Sequence, residues 1–177
     1  MLTNTFTSFP VIKTERLTLR QLSVNDDKDI FALRSDKQVN KYLDREPSNT
    51  IEDARKFIHK IAEVVKQNES IYWAITLTNN DRLVGTICLF NFSSENDQAE
   101  IGYELLPAFQ GQGIMQEAIS KVITFGLDVI GLKTIEAYTH LENKNSTKLL
   151  EKFNFKKEEN IDGNSNYLFV TFKLSAA

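Results

Sequence analysis

Residues 100–113, EIGYELLPAFQGQG, decide the fold. The first half alternates side chains across a strand and runs into Leu105-Leu106-Pro107, where the proline stops it. Two glycines one residue apart follow, and Ile114-Met115-Gln116-Glu117-Ala118 then opens an amphipathic segment. Strand, glycine loop and helix start together predict an anion site. Glycines let backbone N–H groups face a ligand, and a helix N-terminus adds unpaired donors and a positive dipole end. Two common phosphate loops fail on spacing. A G-x-G-x-x-G dinucleotide fingerprint needs glycine where Gln116 stands, and a P-loop needs Gly-Lys-Ser/Thr, whereas Ile114 and Met115 follow Gly113.

The bulk composition narrows the class. With 177 residues and 41% hydrophobic composition, the chain can close a real core, and it reads as one domain over residues 15–177 behind a loosely held arm of residues 1–14. A net charge of −3 with no block of like charge argues against a nucleic-acid partner. The lone Cys88 lies in the apolar run of residues 83–90; it excludes an internal disulfide, suits a reducing compartment and reads as core packing. His59 and His140 lack Cys or His partners at ligand spacing, so no metal site is expected. No apolar run approaches the ~18 residues of a membrane span and no leader pattern opens the chain. A soluble cytoplasmic protein, monomeric or homodimeric and without membrane contact, is the expectation.

Outward from the glycine loop, the periodicity predicts a mixed α/β layer fold. Residues 16–21 alternate Leu17 and Leu19 against Arg16, Thr18 and Arg20, a half-buried strand whose arginines read as a solvated face. Residues 26–35 read as a helix, and Thr50-x-x-Asp53 as a capping box that opens a longer helix to about Gln67. Residues 71–77 and 83–90 predict a hairpin through Thr78-Asn79-Asn80-Asp81, and residues 98–106 a third strand after a polar loop. Tyr72, Trp73, Phe90 and Phe92 on this hairpin read mainly as core. A helix over 112–127 closing near Gly126 or Gly131, a strand over 134–139, a helix over 143–153 and a weak strand over 155–159 follow. A turn at Asp162-Gly163-Asn164 and a last strand over 167–174 end the pattern.

The loop Gln110-Gly111-Gln112-Gly113-Ile114-Met115 resembles the coenzyme A pyrophosphate loop of the GNAT superfamily of acyl-CoA N-acyltransferases, whose pattern is Gln/Arg-x-x-Gly-x-Gly/Ala. Gln110 and Gly113 match, and Met115 departs at the final small position. The surroundings are similar to the RimJ/RimL group: Glu15-Arg16-Leu17-Thr18-Leu19-Arg20, Leu83-Val84-Gly85-Thr86-Ile87, Ala99-Glu100-Ile101-Gly102-Tyr103-Glu104-Leu105 and Gln116-Glu117-Ala118 occur in that order. Asn143-x-x-Ser146 before Leu149-Leu150-Glu151-Lys152-Phe153-Asn154-Phe155 resembles the group's last helix, with Asn154 in place of its terminal glycine. Asn tolerates the left-handed conformation such a helix end needs. The resemblance spans about residues 15–157 and thins beyond, where residues 156–166 are short and polar.

It implies a GNAT-like fold: a mostly antiparallel sheet of about six to seven strands with one splayed parallel pair and flanking helices. It also implies acetyl-CoA as cosubstrate, no metal, the loop from Gln110 to Met115 on the pyrophosphate, backbone at Leu105 and Leu106 on the pantetheine arm, and Asn143 and Ser146 facing it. The acceptor would be a primary amine, either a protein N-terminus such as that of a ribosomal protein or a small molecule such as a polyamine or antibiotic. Two rivals are a catalytically degenerate CoA-binding sensor and a phosphate-ligand module unrelated to CoA.

Direct transfer needs a base, because an amine of pKa about 8 to 10 is mostly ammonium at neutral pH. Strand alternation puts Glu100, Gly102 and Glu104 on one face. Glu100 is the first candidate by its position relative to the superfamily's base, with Glu104 and water as alternatives. Leu150 stands where many members carry a thiolate-protonating tyrosine, which leaves the Ser146 hydroxyl for that role or for simple helix capping.

Overall fold

The computed structural model describes residues 6–95, 97–158 and 168–176. The described strands form an eight-stranded sheet in the order β1-β2-β3-β4-β5-β6-β8-β7. They are β1 (Ile12–Lys13), β2 (Leu17–Gln21), β3 (Ser70–Leu77), β4 (Asn80–Ser93), β5 (Gln98–Leu105), β6 (Thr134–His140), β7 (Lys156–Lys157) and β8 (Phe169–Ser175). Neighbours run antiparallel except β5 and β6. The expected parallel pair is therefore present, and two of the eight strands, β1 and β7, are two-residue edges. The hairpin turns through Thr78-Asn79, since Leu77 pairs with Asn80. The turn expected at Asp162-Gly163-Asn164 lies outside the described residues.

Helices cover both faces. α1 (Asp27–Ser35), α2 (Lys37–Asn40) and α3 (Ile51–Lys66) lie on one side, where Ile30, Leu33, Ala54 and Ile58 pack with Ala74 and Leu83. α3 starts as its capping box dictates: Thr50 Oγ1 accepts from the Asp53 amide at 3.1 Å and Asp53 Oδ2 from the Thr50 amide at 2.9 Å. α4 (Ile114–Thr124) lies on the other side and buries Ile114, Met115, Ala118, Ile119 and Val122 against Trp73, Ile87, Leu89 and Ile101. Each fully buried Ile, Leu or Val side chain here contributes about 1.5–3 kcal/mol. The helix passes into a π turn, Phe125–Ile130, and Gly131 closes it in the left-handed region. α5 (Lys144–Lys152) ends near Asn154, whose φ of 64° is the conformation expected of it. No helix among the described residues is long and apolar enough to cross a membrane.

The arm differs from expectation over residues 6–14. It is fastened to the sheet: Ile12 and Lys13 pair with β2, Phe9 stands edge-on to Trp73, Phe6 meets Phe125, and Trp73 Nε1 donates to the Pro10 carbonyl at 2.7 Å. Arg20, the arginine of β2, is likewise tied rather than freely solvated. Arg20 bridges Asp26 and Asp81, and bonding to Asp26 raises its pKa against the cost of burial.

Candidate active site

β5 and β6 stay parallel for only three residue pairs, Gln98 with Thr134, Ala99 with Ile135 and Glu100 with Glu136. Past Glu100 they separate, while Ile101–Leu105 remain on β4 and residues 137–140 remain on β8. The opening leads into a cleft of about 690 Å³. Tyr103, Glu104 and Leu105 form one lip; Asn143, Asn145, Ser146, Lys148 and Leu149 form the facing one. Gln110, Gly111, Gly113, Ile114, Met115 and Gln116 line one end, and Gln38, Val39, Lys41, Tyr42 and Leu43 from α2 and its loop line another wall. Because the cleft opens at the edge of β5, Tyr103 and Glu104 both reach it although their side chains leave opposite faces.

The loop is held from behind. Gly111 and Gly113 have φ of 73° and 76°, a region that costs glycine nothing and strains other residues. Gln110 Nε2 donates to the Leu105 carbonyl at 3.0 Å, Gln112 Nε2 to the Ala108 carbonyl at 2.9 Å, and Arg16 Nη1 to the Gln112 carbonyl at 3.0 Å. Arg16 also pairs with Glu117 through Nε at 2.6 Å, and the Thr14 hydroxyl donates to the same carboxylate. Burial raises the Glu117 pKa, but the bonds from Thr14 and Arg16 outweigh it and hold the group below its ordinary range. On the opposite lip, Asn143 caps α5 by accepting from the Ser146 amide at 3.2 Å. The Ser146 hydroxyl lies 2.8 Å from the Tyr103 phenol oxygen, and burial pushes that phenol up to about 12.

The two candidate bases differ in surroundings. Glu104 is clamped at both oxygens by the Arg45 guanidinium, Nη2 to Oε2 at 2.8 Å, and Arg45 Nε donates to Asn40 Oδ1 at 2.8 Å. Beside it, Arg34 covers the Phe57 ring at 3.8 Å, its pKa lowered by burial and by the charge of Arg45. Glu100 stands at the last parallel pair, outside the cleft lining, and accepts from Asn91 Nδ2 at 2.9 Å. Cys88 is on the same face as Glu104, away from the lining, and burial, then the Glu104 charge, pushes its thiol up to about 12.

Of the expected site residues, Glu104, Leu105, Gln110, Gly111, Gly113, Ile114, Met115, Asn143 and Ser146 meet in one cleft. Glu100, Leu106 and Gln112 lie outside its lining. The Leu106 amide is taken by the Val84 carbonyl at 2.9 Å and its carbonyl accepts from the Phe109 amide at 2.9 Å, so the backbone there already has partners of its own. Tyr103, Arg45 and the loop bearing Tyr42 escaped the sequence reading. Tyr103 shares the face of Ile101 and Leu105 and reads as core; the 41–49 stretch has no periodicity to follow.

The profile of the Acetyltransferase (GNAT) domain matches residues 16–156. The chain belongs to the GNAT acetyltransferase family. It is 36% identical over 150 residues to the uncharacterized N-acetyltransferase YoaA of Bacillus subtilis (strain 168), covering 85% of each chain. Its fold matches the GNAT-family acetyltransferase of Bacillus anthracis with a TM-score of 0.76 at 26% identity, covering 93% of this chain and 96% of that one. RimL, the ribosomal L7/L12 alpha-N-protein acetyltransferase crystallised with coenzyme A, shares the fold with a TM-score of 0.80 at 19% identity, covering 94% and 98%.

Proposed function

We propose that this GNAT acetyltransferase moves the acetyl group of acetyl-CoA to a primary amine by direct attack in a ternary complex. The polypeptide N-terminal amine, such as that of a ribosomal protein, is the first acceptor to test. The observation that carries the reading is the split between β5 and β6, with two left-handed glycines at one end and the capped N-terminus of α5 on the facing lip. Residues 110–114 would hold the pyrophosphate through backbone amides, and Leu105 and Asn143 would flank the pantetheine arm. Bound there, acetyl-CoA supplies the activated acyl carbon. Direct attack fits better than an acyl-cysteine route, because Cys88 lies outside the cleft lining and is a poor thiolate former.

Glu100 lies outside the cleft lining, so as the base we propose it acts through a water that reaches the cleft. Both Glu104 oxygens hold Arg45, whereas among the described residues only Asn91 bonds Glu100. Titration with acetyl-CoA, paired with thiol release against peptides, polyamines and aminoglycosides, tests the function. Binding without release for any amine would point to a CoA sensor; nucleotide binding without CoA binding would point to an unrelated phosphate module. Glu100→Gln is expected to lower turnover about a hundredfold with acetyl-CoA affinity unchanged. Unaltered turnover moves the base to Glu104 or water.

A further inference from the structure

We propose that Tyr103 is a positioning residue for the departing coenzyme A thiolate: its phenol, bonded to the Ser146 hydroxyl, fixes that pair so that one O–H points at the sulfur. The inference rests on the acetyltransferase reading above and assigns a part to a residue of the same site.

The argument begins with where the two oxygens sit. Tyr103 follows Glu100 by three residues, so it stands on the portion of β5 whose edge has lost β6. Its neighbours on that face, Ile101 and Leu105, are buried in the core, which anchors the strand and leaves the phenol at the open edge. Ser146 comes from the other lip, 43 residues away in sequence, and Asn143 Oδ1 holds its amide. The 2.8 Å contact is thus a hydrogen bond across the mouth of the split, made between two residues that line the same cleft.

Proton counting does the rest. Two hydroxyls carry two protons, and one hydrogen bond between them uses one. Among the described residues neither oxygen has another hydrogen-bond partner, so the second proton is left for something in the cleft. The phenol's own burial keeps it protonated across the neutral and mildly alkaline range, so the pair keeps both protons. With Tyr103 donating to Ser146, the serine proton faces the ligand and its oxygen is held still.

In the transfer step, the amine nitrogen attacks the thioester carbonyl carbon; the C–N bond forms, the C–S bond breaks and the electron pair leaves on sulfur. Ser146 passes its proton to the sulfur as Tyr103 resupplies Ser146. Glu100 takes the proton shed by the amine and passes it to solvent, from which the phenol is restored. The products are the amide, the free thiol and an unchanged pair. Tyr103 touches neither substrate in this scheme and works through Ser146.

The test uses the full chain with acetyl-CoA and two acceptors, an alanine-initiated hexapeptide and spermine, followed by thiol release. Tyr103→Phe keeps the ring and removes the hydroxyl. We expect kcat to fall about tenfold or more with acetyl-CoA affinity unchanged. The double variant with Ser146→Ala should be no slower than Ser146→Ala alone, since the phenol acts only through that serine. Trifluorotyrosine at position 103, whose phenol ionises at much lower pH, should give kcat an alkaline fall that the wild type lacks. A merely structural tyrosine would move neither the additivity nor the pH profile. Undiminished kcat in Tyr103→Phe, independent effects in the double variant, or a superimposable pH profile overturns the inference while leaving the acetyltransferase reading intact. A wild type that binds acetyl-CoA but releases thiol with none of the peptides, polyamines and aminoglycosides overturns this inference together with the proposed reaction.

Discussion

At the scale of single residues, Glu104 shows how backbone packing selects a side chain's task. β4 and β5 approach so closely here that a Cβ on Gly85 would collide with the Glu104 carbonyl, which holds the strand that carries the carboxylate. It meets a guanidinium whose planar fork matches it at both oxygens. Each side chain of the pair is only 17% exposed, so removing one leaves the other poorly hydrated. Arg45→Met and Glu104→Gln should each lower unfolding free energy by about 2 kcal/mol, less than a fully buried pair because solvent still reaches both groups. In the double variant the loss should fall short of the sum, as denaturant titration of all three variants would read. Additive losses would mean that the pair is not coupled and that the loop after α2 is held by other contacts.

At the scale of elements, the N-terminal segment is a strap over the α4 side of the sheet. Phe6 and Phe9 cover Phe125 and Trp73, while Thr14 and Arg16 reach Glu117 in the first turn of α4, directly behind the glycine loop. A chain shortened to begin at Thr14 should lose more than about 2 kcal/mol and show red-shifted Trp73 fluorescence as water reaches the indole. Unchanged emission would show that the strap contributes no cover. Such packing is hard to read from sequence, because residues 6–14 carry no period and their partners lie far along the chain. Local signals fared better. The Thr50 box, the left-handed Asn154 and the strand before the loop each depend on neighbours within a few residues, and each is found. The same contrast divides the site. The glycine loop and the helix that starts at Asn143 are legible, whereas the Tyr103–Ser146 and Arg45–Glu104 contacts join residues 43 and 59 apart and exist only once the sheet has formed.

At the scale of the whole molecule, the cleft is a discontinuity in an otherwise continuous sheet. The core runs beneath it, since Ile135, Ala137, Val170 and Phe172 share one cluster with Leu17, Trp73 and Ile101. Above that core, backbone pairing between the two sides stops at Glu100, and the Tyr103–Ser146 bond spans the gap beyond. A ligand bonded to both lips would replace the missing ladder, so its binding should be felt as mechanical continuity as well as affinity. Acetyl-CoA at a hundred times its dissociation constant should add about 2.7 kcal/mol to stability, with a matching rise in Tm. Amide exchange should slow most at residues 101–105, 137–140 and the first turn of α5, and least in β2 and β3, which are already paired on both sides. Protection confined to the glycine loop would mean that the ligand is held by its phosphates alone and never bridges the split.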